Sequence, residues 1–96
     1  MDWYEPSNVA LIKAFLALKT ADEVRRFLRD LLTENEIEEF GKRLQAAQML
    51  LENVPYSRIE STTGLSSTTV ARVSKWLQGK EGGYRTVLHR IHRQAK

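Results

Sequence analysis

Apolar residues recur along this chain at helical spacing, and no stretch alternates long enough to make a convincing strand. Val9, Ile12, Phe15 and Leu16, with Leu11 and Leu18 beside them, form a stripe wide enough to be mostly buried on a first helix over 8–18, which Ser7 or Asn8 can cap. Before it, Trp3 and Tyr4 are placed to anchor a loose arm on the core or on a partner chain. Thr20-Ala-Asp-Glu23 is a capping box: the threonine oxygen takes the N–H three residues on, and the glutamate reaches back. The helix it opens, to about Leu31, turns Val24, Phe27, Leu28 and Leu31 inward and Arg25, Arg26 and Arg29 outward. A second box, Thr33-Glu-Asn-Glu36, opens the longest helix, over 34–53. Its Ile37, Phe40, Leu44, Ala47, Leu51 and Val54 follow a three-four spacing that keeps one seam on a facing helix, with Met49 and Leu50 off the seam. Such a helix spans ~30 Å. It carries more apolar surface than short neighbours in one 96-residue chain cover comfortably, which favours a homodimer with this helix near its centre. Gly41 weakens it by up to about 1 kcal/mol relative to alanine, the mark of a close approach or of a tolerated accident.

Val54-Pro55 breaks the pattern, because proline suits a first turn and disfavours a helical predecessor. The stretch from Tyr56 to Leu77, within a unit of about 55–78, then reads as two short helices joined at Gly64. Ile59, Leu65, Val70 and Val73 are spaced as the inward positions of a helix-turn-helix, whose second helix enters the DNA major groove. Glycine tolerates the φ > 0 that ends the first helix, and Ser66 or Ser67 can cap the second. Gly79, Gly82 and Gly83 mark a joint before a last amphipathic helix over 84–94, with Tyr84, Val87, Leu88 and Ile91 inward and Arg85, Arg90 and Arg93 outward. The expectation is a single all-α domain over 1–96 with six helices.

Charge sharpens this picture. Residues 1–54 hold seven Lys/Arg against ten Asp/Glu, a balance of −3, whereas residues 55–96 hold eight against two, a balance of +6. The basic half contains the helix pair, as phosphate attraction requires. Catalysis finds little to work with: there is no Gly-rich phosphate loop after a strand, no cysteine nucleophile and no metal-ligand cluster. His89 and His92 share a helix face, but in a basic tail helix they read as surface residues. No enzyme, cofactor or metal is expected. The lack of cysteine suits a reducing cytoplasm, and neither a membrane-length apolar run nor a signal pattern is present, so a soluble cytoplasmic protein is expected.

The chain resembles the Trp repressor superfamily, and its smaller YerC/YecD-type branch most closely, over roughly residues 10–90. The resemblance rests on L-L-T at Leu31–Thr33, G-K-R at Gly41–Arg43, L-L at Leu50–Leu51 and G-L-S-S-T-T-V-A-R at Gly64–Arg72. It implies a bacterial six-helix protein that forms an intertwined homodimer, binds operator DNA and associates with the nucleoid when bound. Thr33, Arg43, Thr69 and Arg72 match positions that line the tryptophan pocket of Trp repressor. Val73 and Trp76 stand where that protein has a glycine and a serine, so their side chains occupy space a bound tryptophan would need. Tryptophan is therefore not expected as corepressor, and a ligand pocket formed by Thr33, Arg43, Arg72, Val73 and Trp76 would have to be reshaped for another small molecule. Glu60 also departs from the small residue common four before the turn glycine.

Together the helix pair and the resemblance single out DNA-facing residues. Ser66, Ser67 and Thr68 begin the second helix and can reach base edges, Ala71 can touch a thymine methyl, and Lys75 follows one turn on. Arg43, Arg58, Thr69 and Arg72 suit phosphate or sugar contacts. The function expected is a sequence-specific double-stranded DNA-binding transcriptional regulator, a repressor, acting as a homodimer. The alternative is a helical protein-interaction module with a basic docking face, which a salt series on arbitrary duplex DNA separates.

Overall fold

The computed structural model of the chain describes residues 1–94; Ala95 and Lys96, which end the expected 1–96 domain, lie outside the described residues. Six helices follow in order: α1 (Pro6–Ala17), α2 (Ala21–Leu31), α3 (Glu34–Leu51), α4 (Tyr56–Thr63), α5 (Ser67–Leu77) and α6 (Gly83–Gln94). No strand occurs among the described residues. The all-α expectation holds. The chain divides into two compact units, Met1–Ile37 and Glu38–Lys96, and α3 runs from the first into the second.

In the first unit, α1 starts at Pro6 rather than at a Ser7 or Asn8 cap. Proline at the first turn lacks the N–H that a cap would satisfy. Asn8 instead donates to the Asp2 carbonyl at 2.7 Å. The Thr20 oxygen accepts from the Glu23 N–H at 3.1 Å, as its capping box requires, but Glu23 answers the N–H of Lys19 rather than of Thr20, at 2.9 Å. Phe15 and Phe27 meet edge to face with ring centroids 5.5 Å apart. The expected burial of the α1 stripe does not occur: no residue of α1 or α2 is buried, and Leu16 is 80% exposed. Trp3 and Tyr4 are likewise exposed, so they are not anchored on the chain's own core. The apolar stripe of α1 is wider than the side chains around it cover.

The second unit has a core of Ala46, Ala47, Ile59, Leu65, Val70, Val73 and Leu88, with Leu44, Met49, Leu50, Val54 and Tyr84 packed against it. This keeps part of the expected seam of α3, since Leu44, Ala47 and Val54 lie on the core. It departs from the rest: Ala46 and Leu50 turn inward, while Phe40 and Leu51 stay exposed. The core is built on the C-terminal half of α3, where two adjacent alanines admit close packing and widen the inward face beyond the three-four row. α3 stops two residues early because Asn53 adopts the left-handed region at φ 62°, letting the Val54 N–H reach the Met49 carbonyl at 3.0 Å. A Cβ at Gly41 would meet no atom within 4 Å among the described residues.

Candidate nucleic-acid interface

The joint between α4 and α5 is locked by short-range bonds. Pro55 flanks the start of α4, and Gly64 ends it in the left-handed region at φ 78°, its N–H on the Glu60 carbonyl at 2.8 Å. Glu60 is half-buried, and its side chain makes no bond or ion pair among the described residues. The buried Thr63 hydroxyl donates to the Ile59 carbonyl at 2.7 Å and accepts from the Leu65 N–H at 3.2 Å. That hydroxyl stitches the turn, a role no sequence signal had marked. Of the two cap candidates it is Ser66 that caps α5, accepting from the Thr69 N–H at 3.1 Å and donating to the Thr69 hydroxyl at 3.0 Å.

These bonds, with the core, decide which way α5 faces. Val70, Val73, Ser74 and Leu77 are buried, while Ser67, Thr68, Ala71, Arg72 and Lys75 are exposed along the opposite face. Thr68, Ala71, Arg72 and Lys75 fall at i, i+3, i+4 and i+7, the spacing of one continuous helical stripe. Thr69 is half-buried beside the cap, and Arg58 stands exposed on α4. Arg58, Arg72 and Lys75 form no ion pair among the described residues, so their charges are free to meet anions.

The suggested pocket residues serve separate purposes. Thr33 caps α3, accepting from the Glu36 N–H at 3.1 Å and donating its own N–H to the Glu36 carboxylate at 3.0 Å. Val73 is fully buried in the helix-turn-helix core. Arg72 points to solvent. Arg43 and Trp76 do come together. The Arg43 guanidinium lies 5.6 Å from the ring centroid of Phe40 and 5.6 Å from that of Trp76, and its Nε meets the Glu39 carboxylate at 3.1 Å. Tyr84 of α6 is close by: burial raises its phenol above the ordinary value, and the Arg43 charge acts in the opposite sense. Nearby, Arg85 donates from Nε to the Leu77 carbonyl at 2.9 Å. Neither Phe40, Tyr84 nor Arg85 was marked as a site residue, because each acts through a helix remote in sequence.

His89 and His92 border an open groove of about 790 Å³ with Gln48, Glu52 and Arg85. No group of three or more His, Cys, Asp or Glu residues able to hold a metal is found among the described residues. No helix of the described residues is long and apolar enough to cross a membrane.

The arrangement has close counterparts. The sequence profile of the Trp repressor protein family matches residues 8–92. The chain is 40% identical to the uncharacterised protein YerC of Bacillus subtilis over 81 residues, which cover 84% of this chain and 78% of YerC. A TrpR-like protein from Eubacterium eligens superposes with a TM-score of 0.87 at 35% identity, covering 94% of this chain and 93% of its own. A candidate Trp repressor from Staphylococcus aureus gives a TM-score of 0.87 at 33% identity, with 96% and 95% covered. With a six-helix fold, a helix-turn-helix and a profile match across nearly its whole length, the chain belongs to the Trp repressor family, a family of DNA-binding transcription regulators and not of enzymes.

Proposed function

We propose that this chain acts in the bacterial cytoplasm as a homodimeric, sequence-specific regulator of transcription, a repressor, that binds double-stranded operator DNA without tryptophan as corepressor. The exposed stripe of α5 carries this reading. Ser66, Ser67 and Thr68 stand at the end of the helix that enters a major groove first, Ala71 offers a methyl contact, and Lys75 follows a turn later. Arg58, Thr69 and Arg72 supply phosphate and sugar contacts. The helix start carries short side chains only, so water and DNA shape contribute to specificity.

Dimerisation is supported by apolar surface that one chain leaves open: Ile12, Phe15, Leu16, Phe40, Val87 and Ile91 are each more than two-fifths exposed. Independence from tryptophan is supported by the use already made of the pocket candidates. Arg43 is engaged by Glu39, Phe40 and Trp76, and Thr33 is engaged as a cap.

Enrichment of duplexes from a random-sequence pool by exhaustively dialysed protein tests the proposal. A shared motif with two-fold symmetry is expected. Thr68→Ala and bulkier residues at 71 should alter that motif, whereas Arg58→Ala should weaken all duplexes alike. Enrichment that needs added tryptophan, or that yields no motif, would overturn it.

A further inference from the structure

The last turn of α5 is held from two sides by arginines that belong to other helices. Arg43 of α3 brings its guanidinium over the rings of Phe40 and Trp76, 5.6 Å from each centroid, and Glu39 holds its Nε at 3.1 Å. Arg85 of α6 donates to the carbonyl of Leu77, the next residue, at 2.9 Å. That carbonyl is among the last of the helix, which have no partner within it. A cation there also meets the negative end of the helix dipole. Arg43 is two-thirds buried at the side chain and already paired, so it is poorly free to follow a phosphate.

We propose that Arg43 and Arg85 are positioning residues for duplex recognition: acting on Trp76 and Leu77, they fix the far end of α5 and thereby the angle at which its start meets the groove. The inference rests on the reading that α5 contacts DNA. The helix has two ends to fix. Its N-terminal end is tied locally, through Ser66 to Thr69 and through Thr63 to Leu65. Its C-terminal end has local turn bonds, from the Gln78 N–H to the Ser74 carbonyl at 3.2 Å and from the Gly79 N–H to the Trp76 carbonyl at 3.1 Å. It is in addition tied to other helices, through the ring of Trp76, the carbonyl of Leu77 and the buried Leu77 side chain. Where the reading-competent orientation is a fraction of the population, apparent affinity falls by that fraction. Planarity is the feature that matters in Arg43, since a guanidinium stacks on two rings while an ammonium on a flexible stem does not hold that geometry.

The test compares Arg43→Lys, Arg43→Gln and Arg85→Gln on two duplexes, one enriched from a random pool by the wild-type protein and one scrambled duplex of equal length. A positioning role predicts that each variant loses about threefold to tenfold affinity for the enriched duplex, as a displaced cation–π contact or hydrogen bond allows. Affinity for the scrambled duplex and the dependence on log salt should stay as in the wild type. A phosphate contact predicts the reverse: Arg43→Lys nearly silent, and Arg43→Gln flattening the slope by about 1.8 on both duplexes, about 0.9 for each copy in the dimer. A general loss of folding would weaken both duplexes in one proportion. Hydrogen exchange of the DNA-free protein gives an independent readout, with amides of residues 74–78 exchanging faster in all three variants and those of residues 67–70 unchanged. Trp76→Ala combined with Arg43→Gln should add little to either alone. Unchanged exchange at 74–78, additive effects, or the phosphate pattern would overturn the proposal. If the wild-type protein enriched no duplex, the DNA reading would fail first, and the exchange data would still show whether the two arginines hold the helix end.

Discussion

Replacing Thr63 by valine keeps the shape of the side chain and removes only its hydrogen-bonding oxygen. In the structure that oxygen accepts from the Leu65 N–H at 3.2 Å in a region where Thr63 and Leu65 are both more than nine-tenths buried. The Ile59 carbonyl, its other partner, keeps its place in the backbone ladder of α4. The Leu65 N–H has no substitute, and a buried unsatisfied donor costs about 1–3 kcal/mol. Thr63→Ser keeps both bonds and loses one methyl, worth about 0.8 kcal/mol. The expected order of stability is therefore threonine, then serine, then valine, so that the most hydrophobic of the three is the least stable. Urea unfolding followed by far-UV dichroism measures it, with midpoints compared at equal slopes and one fixed protein concentration, since a dimer's stability varies with concentration. A valine variant as stable as the serine variant would show that the turn does not depend on this hydroxyl.

Three further outcomes are expected. Ser66→Ala should cost about 1 kcal/mol as a lost N-cap, while Ser67→Ala should change stability little, both read from urea midpoints. Burial raises the Tyr84 phenol above its ordinary 10.0. Its contribution is therefore complete below pH 10 and is lost as pH rises through the folded value, because the unfolded chain then binds fewer protons. Tyr84→Phe should remove that part of the alkaline decline in midpoint and leave neutral-pH titration behaviour alone. Gly41→Ala meets no atom within 4 Å among the described residues and should raise stability by up to about 1 kcal/mol. A loss instead would place a partner helix against that position.

What could be read from the sequence was what local chemistry decides. The boxes at Thr20 and Thr33 and the breaks at Pro55 and Gly64 act within a few residues, and all of them set helix ends near the expected places. The inward row of Val70 and Val73 was legible for the same reason, since one helical period fixes it. The seam of α3 was legible in part. Leu44, Ala47 and Val54 of the three-four row do lie on the core, but Phe40 and Leu51 of the same row stay exposed, and the off-row Ala46 and Leu50 turn inward instead. The α1 stripe was legible as apolar, but whether it is covered depends on surface outside α1 itself. The stack of Arg43 on Trp76 joins residues 33 positions apart, and no periodicity reports such a pairing. The sequence marks Arg43 and Trp76 for a ligand site, and Arg43 also for a phosphate or sugar contact, but not for each other.

The central claim is that this protein binds duplex DNA through α4 and α5 without a small-molecule corepressor. The most direct test is the affinity of exhaustively dialysed protein for a random-sequence duplex, measured by fluorescence anisotropy across a series of salt concentrations. Arg58 and Arg72 are exposed and form no ion pair among the described residues, and in a dimer they would neutralise about four phosphates, for a log–log slope of about −3.6 or steeper. Double substitution of Arg58 and Arg72 by alanine should bring the slope down by roughly that amount. A wild-type slope near zero, or binding that emerges only when tryptophan is added, would contradict the account.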